Sequence, residues 1–145
     1  MDKTSYANLA RAWEYVENHA YSRQTQALLD AREQAAQCGL AQGSAAQAQL
    51  LHTLACMMRS ISVITIGSGS LVEIVQLVDA LHGTGQLTAV DSSTQGIALI
   101  RKMFFALSDT TQTTLRAVNA PVNVILPRLN GTDYDLIVVS GDAAN

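Results

Sequence analysis

The run Ser62-Val63-Ile64-Thr65-Ile66, short and β-branched, ends in Gly67-Ser68-Gly69 and is followed at once by a helical pattern. That succession constrains the chain more than any other feature. A strand without apolar/polar alternation is buried on both faces. A strand that runs through a tight glycine turn into a helix opens a βαβ unit. The pattern repeats. Ile74, Val75, Leu77 and Val78 mark the apolar face of a helix from about Leu71 to Leu81, which Gly83 and Gly85 end. Gln86-Leu87-Thr88-Ala89-Val90 is a second strand, closed by Asp91, and a helix over about Thr94–Leu107 follows. Thr113–Val118 is a weaker third strand, Pro121–Leu129 a short helical turn region, and Asp135–Val139 a clear fourth strand. Strands alternating with helices of these lengths, joined by right-handed crossovers, predict an α/β fold with a doubly wound parallel sheet.

The residues before this unit read as helices. Tyr6, Leu9, Ala10, Trp13 and Val16 recur at helical spacing; Ala27, Leu28, Ala31 and Ala35 continue a second helix that Gly39 stops. Ser44 is placed to cap a third helix, from Ala45 to about Arg59, with Leu50, Leu51, Leu54 and Met58 expected inward. The expected organisation is one structural domain: a helical segment over 1–60 packed on the sheet, and a partial α/β ligand-binding region over 61–145. Four strands leave an edge that normally pairs onward, so the C-terminal strands of such a sheet are expected to be missing here, or the edge to be covered by association.

Composition supports a packed globular chain: 48% of residues are hydrophobic and 14% charged. A net charge of −3 with scattered basic residues gives nothing to attract a phosphate backbone, so no nucleic-acid partner is expected. No signal peptide and no apolar stretch of membrane-spanning length is apparent, which predicts a cytoplasmic protein without a membrane partner. Cys38 and Cys56 form no CxxC pair and are read as plain thiols with no histidine at metal-ligand spacing. His19, His52 and His82 are read as structural or surface residues, and Trp13, Tyr6, Tyr15 and Tyr21 as packing or a dimer contact.

Candidate site residues fall at the carboxyl ends of the strands, where open α/β sheets bind ligands. Gly67, Ser68 and Gly69 let the backbone approach a nucleotide-like ligand or a carboxylate, and the following helix start offers free N–H groups and a positive dipole end. A glycine turn alone is weak evidence, because any tight βα turn uses glycine and Val72 stands where a third fingerprint glycine would be. Asp91, with Ser92 after it, is placed to accept ribose hydroxyls; its competing role is to cap the next helix. Asn119 and Ala120 follow the third strand and suit an adenine edge, or simply the turn before Pro121. Ser140-Gly141-Asp142 follows the fourth strand, where substrate chemistry would occur, and the single carboxylate of Asp142 is a poor site for a hard cation. No catalytic residue is assigned and no metal site is expected.

These segments, in this order, resemble the catechol and caffeoyl-CoA O-methyltransferase-like family. The resemblance rests on Leu28–Glu33, Gln47–Leu51, Thr65–Gly69, Gln86–Asp91, Ile125–Leu129 and Tyr134–Val139, and covers nearly the whole chain. It implies a Rossmann-like methyltransferase fold and an S-adenosylmethionine-dependent O-methyltransferase acting on a small hydroxylated acceptor as a homodimer. Gly67 and Gly69 would line the methionine part of the cofactor, Asp91 would hold the ribose, and Asn119 with Ala120 would flank the adenine. Departures from the pattern are specific. Thr65 stands in place of Glu, Leu71 of Gly, Glu73 of a hydroxyl residue, Asn119 of an acid, Ser140 of the first metal-binding aspartate and Ala143 of lysine; the family's other metal ligands would lie beyond Asn145. Leu71 would narrow the room beside the cofactor, and Glu73 would repel its carboxylate. They support an alternative, a catalytically inactive methyltransferase-like binding or dimerisation module. A nicotinamide-dependent oxidoreductase also fits the glycine turn and Asp91, but fits the incomplete glycine fingerprint and the leading helices less well.

Overall fold

The computed structural model describes residues 3–67, 70–129 and 133–140. Three helices come first: α1 (Lys3–Ser22), α2 (Gln26–Gln37) and α3 (Ala45–Met58). Then β1 (Ser62–Ile66), α4 (Leu71–Ala80), β2 (Gln86–Asp91), α5 (Thr94–Ser108), β3 (Thr114–Asn119), the short α6 (Val122–Ile125) with a 3₁₀ turn at Leu126–Leu129, and β4 (Leu136–Val139) alternate. The strands form one parallel sheet in the order β3-β2-β1-β4. The chain thus winds outward from β1 through β2 to β3, then crosses back to set β4 on β1's other side. This is the doubly wound arrangement expected from the strand and helix alternation, and the reversal of direction lies between β1 and β4.

Side-chain alternation along the strands divides the core between the two faces of the sheet. Val63, Leu87, Ala89 and Val138 join α2, α3, α4 and α5 in the main cluster, while Ile64, Ile66 and Val90 form a smaller one with Val118, Val122, Ile125, Leu129 and Tyr134. Helix α4 lies at the centre of the first layer, and of its residues only Asp79 is exposed. Hence its sequence is apolar nearly all round.

Helix α3 corrects the sequence expectation about its inward face. Leu50, Leu54 and Met58 are exposed, Leu51 is half-buried, and Ala45, Ala48 and Ala55 are buried. Small side chains let α3 approach α4 closely, so the alanine stripe turns inward and the larger side chains turn out. With Tyr6, Leu9, Trp13 and Val16 of α1 they leave an apolar outer surface.

The helix ends follow local chemistry. Ser44 Oγ accepts a hydrogen bond from Gln47 N at 3.0 Å, as its place before α3 predicts. The same helix start is capped a second time from outside: Glu17 of α1 accepts from Ala45 N at 2.7 Å and from Ala46 N at 2.9 Å. Burial works against the Glu17 carboxylate, but the hydrogen bonds from Ala46, Ala45 and Ser44, with the charge of Arg32, outweigh it and hold the group below the usual carboxylate range. Arg32 of α2 donates to Gln24 Oε1 at 3.0 Å and to Gly43 O at 2.9 Å, and lies 5.9 Å from the Tyr21 ring centre, so it fastens the loop before α3 to the α1–α2 turn. At the other end of the sheet Asp135 Oδ2 accepts from Ile61 N and Ser62 N at 2.7 and 2.9 Å, which ties the start of β1 to the start of β4 and lowers the acid's pKa.

Because Glu17 joins α1 to the start of α3, Glu17→Ala is expected to lower unfolding free energy by about 1–2 kcal/mol at pH 7. The folded-state pKa of Glu17 is depressed, so its contribution is present above the ordinary carboxylate pKa and lost as pH falls through the folded one. Urea titrations of both proteins should therefore converge in acid; a difference that persists undiminished would refute the ionic cap.

Candidate cofactor site at the strand tips

Parallel pairing brings the carboxyl ends of all four strands to one side. The register sets Ile66 opposite Val90 and Val139, and Asp91 opposite Asn119, so Gly67, Asp91, Ser92, Asn119, Ala120 and Ser140 follow one another along one rim. These six of the eight candidate cofactor residues are brought together; Ser68 and Gly69 lie outside the described residues, as do Gly141, Asp142 and Ala143.

Gly67 is required where it stands. Its φ is +133°, and a Cβ there would lie 1.8 Å from the Ser140 carbonyl oxygen. Its N–H donates to Val90 O at 3.0 Å and Ser140 N donates to Ile66 O at 2.9 Å, so β1 emerges pinned between its two neighbours. The backbone approaches another strand here, which is one of the two uses of glycine the turn pattern predicts.

Asp91 is 1% exposed, and its side chain turns toward the start of α5, where Oδ1 accepts from Ser93 N at 2.7 Å. Ser93, not Asp91, is the N-cap: its Oγ accepts from Gly96 N at 3.1 Å. Asp91 sits beneath that cap, against the positive end of the helix dipole. Sequence reasoning missed Gly96, on which this placement depends: a Cβ there would lie 2.1 Å from Asp91 Oδ2. The signal was a glycine in the first turn of an otherwise sound helix, a position where glycine costs stability and needs a packing reason. Asn119 is exposed, and Ala120 N reaches Asp91 O at 3.3 Å. Buried hydroxyls at Thr65, Ser70 and Ser140, which flank the Gly67 turn in sequence or space, make no hydrogen bond among the described residues. Polar groups left so on the rim of a sheet are where a polar ligand finds partners.

Two residues that depart from the family pattern behave differently from each other. Leu71 is buried in the main core. Glu73 is 2% exposed in the first turn of α4, and burial pushes its carboxyl group up from its ordinary pKa against the lowering influence of its own amide, Arg32 and the Gly43 amide.

Away from the rim, Cys56 lies 3.9 Å from His52 Nδ1 and 3.7 Å from His82 Nε2, and His52 Nε2 lies 3.0 Å from Asp79 Oδ2. His52 and Cys56 are one turn apart on α3, a spacing the sequence reading passed over, and the turn after α4 adds His82. Among the described residues no group of His, Cys, Asp and Glu is arranged to hold a metal ion.

The strand order defines a Rossmann-like doubly wound fold, and comparison with known proteins narrows it. No family model matches the sequence. A putative O-methyltransferase of Mycobacterium sp. (strain JLS) is 27% identical over 115 residues, which are 79% of this chain and 52% of that protein. The O-methyltransferase from Bacillus cereus solved with S-adenosylhomocysteine superposes with a TM-score of 0.76 at 14% identity, over 91% of this chain and 63% of that one. TomG from Streptomyces achromogenes, solved with S-adenosylmethionine, gives 0.71 at 22% identity, over 83% and 55%. A protein of Corynebacterium glutamicum gives 0.73 at 25% identity, over 87% and 60%. The chain carries the fold of the S-adenosylmethionine-dependent O-methyltransferases, and the resemblance read from its sequence stands. It spans about half the length of the curated relative it matches.

Gly96→Ala is expected to leave the sheet intact while displacing the Asp91 carboxylate, since the clash meets a movable side chain. Disturbing the hydrogen bond to Ser93 N should cost about 1–2 kcal/mol, against about 1 kcal/mol that alanine returns in a helix. Circular dichroism unchanged alongside a Tm no higher than that of the wild type would fit; a raised Tm would show that Asp91 is not held as described.

Proposed function

We propose that this protein binds S-adenosylmethionine at the strand-tip rim and serves methyl transfer to a hydroxyl of a small acceptor. The observation that carries the reading is the convergence of Gly67, Asp91, Asn119 and Ser140 at the carboxyl ends of four parallel strands ordered β3-β2-β1-β4. Asp91 would hold the ribose hydroxyls, Asn119 and Ala120 would flank the adenine, and Gly67, Ser68, Gly69 and Ser140 would border the rest of the ligand; Ser92 would lie beside the ribose. When bound, the sulfonium compound supplies the activated methyl group. For its adenosine portion Asn119 is exposed at the rim, whereas Asp91, 1% exposed with Oδ1 on Ser93 N, would have to turn from the start of α5 to meet the ribose. The residues present do not fit its carboxylate, because the buried Glu73 carboxyl group already occupies the first turn of α4. Support also comes from two of the solved neighbours, TomG and the Bacillus cereus enzyme, which hold S-adenosylmethionine and S-adenosylhomocysteine.

We further propose one structural domain, with residues 1–60 as a helical layer and 61–145 as the cofactor-binding part, working as a cytoplasmic homodimer without nucleic-acid or membrane partners. The net charge of −3 supports the absence of nucleic acid. Among the described residues no helix is long and apolar enough to cross a membrane. The exposed Leu9, Trp13, Leu50 and Met57 support a self-association face on α1 and α3. Sedimentation equilibrium at micromolar concentration should give twice the chain mass, with Trp13→Glu shifting it to the monomer; a monomeric wild type refutes the dimer.

Calorimetric titration of the full chain with 5′-methylthioadenosine and with S-adenosylhomocysteine, each to millimolar concentration, tests the cofactor reading. Binding of at least one is expected, and Asp91→Ala should weaken it by roughly tenfold or more through loss of the ribose hydrogen bonds. Absence of heat with both ligands would remove the proposal.

A further inference from the structure

The start of α4 is already occupied by the protein's own groups. A helix that follows the first strand's turn offers its leading amides to a ligand anion. Here Val72 N donates to Gln42 Oε1 at 3.1 Å, Ile74 N donates to Ser70 O at 3.0 Å, and the Glu73 amide faces its own carboxylate. The Gly43 amide faces the same carboxylate from the loop before α3. Glycine at 43 is what makes the room: a Cβ there would lie 2.5 Å from Glu73 Oε1. The other oxygen, Oε2, is buried and makes no hydrogen bond among the described residues. Arg32 faces the group from α2, with a buried Nη2 that also lacks a hydrogen bond, but among the described residues the two form no ion pair. An anion from outside that sought these amides would find Val72 N and the Glu73 amide used, and would meet the buried Glu73 carboxyl group in the space it needs.

We propose that Glu73 is a specificity-determining residue that fills the subsite for a ligand's terminal carboxylate, so that the strand-tip site favours adenosyl compounds with an uncharged tail over those ending in a carboxylate. The proposal rests on the adenosyl reading above and deepens it. Glu73 then keeps affinity for S-adenosylmethionine and S-adenosylhomocysteine low without touching the adenosine end. Gln42 and Gly43 act with it, the first by taking the neighbouring amide and the second by admitting the carboxylate.

The test compares the wild type, Glu73→Gln and Glu73→Ser by calorimetry with two probes that share the adenosine and thioether: 5′-methylthioadenosine, which has no carboxylate, and S-adenosylhomocysteine, which has one. The wild type should bind methylthioadenosine at least as tightly as S-adenosylhomocysteine. Glu73→Ser, which clears the subsite, should tighten S-adenosylhomocysteine by roughly tenfold or more and Glu73→Gln by less, and both should leave methylthioadenosine within about twofold. A wild type that prefers S-adenosylhomocysteine, or substitutions that leave the ratio of the two affinities unchanged, overturns the role of Glu73 while the adenosyl site survives. Failure of both probes to bind any of the three proteins overturns the adenosyl site, and this proposal with it.

Discussion

Everything at the rim depends on β1 being hydrogen-bonded on both sides. Ile66 pairs with Val90 on one flank and Val139 on the other, and Gly67 then continues the chain between Val90 O and the Ser140 carbonyl. Because β1 is buried along its whole length, no register shift is available that would keep Val63 in one cluster and Ile64 and Ile66 in the other. The fixed register puts Asp91 opposite Asn119 and sets both one step from the Gly67 turn. The grouping of these polar residues at the strand tips thus follows from strand pairing.

The α/β alternation was legible because its signals are local. Short β-branched runs bounded by glycine can be little else, and the observed strands begin or end within about a residue of the expected ones. Ser44 as a cap and Gly39 as a stop were equally local, and Gly39 has a φ of +69°. What could not be read was which face of α3 turns inward. Hydrophobicity alone favours Leu50, Leu54 and Met58, whereas close packing on α4 favours Ala48 and Ala55. That choice is made by the distance between two helices, which one helix's sequence does not contain.

The candidate site shows the same division. Gly67 and Asp91 were legible from their positions at strand ends. Gly96, which gives the Asp91 carboxylate its place, and Gly43, which gives the Glu73 carboxylate its place, were not, because each serves a side chain elsewhere in the sequence. The grouping of His52, Cys56, Asp79 and His82 was hidden for the same reason: α3 and the end of α4 meet only in the fold.

Glu17 and Glu73 put one chemistry in two settings. Both carboxylates sit at helix starts and take backbone amides, and for both burial is the largest single influence on the acid. At Glu17 two amides, Ser44 and Arg32 together exceed it, and the charged form is favoured. At Glu73 the same kinds of contact do not, and one oxygen is left without a hydrogen bond. A carboxylate that caps a helix from a neighbouring element therefore stabilises the layer, whereas one folded back on its own helix holds a place that water or a ligand would otherwise take. The second arrangement contributes less to stability than the first and more to deciding what the rim admits. It ties the choice of ligand to a single side chain, one turn away from the glycine bend that makes the rim.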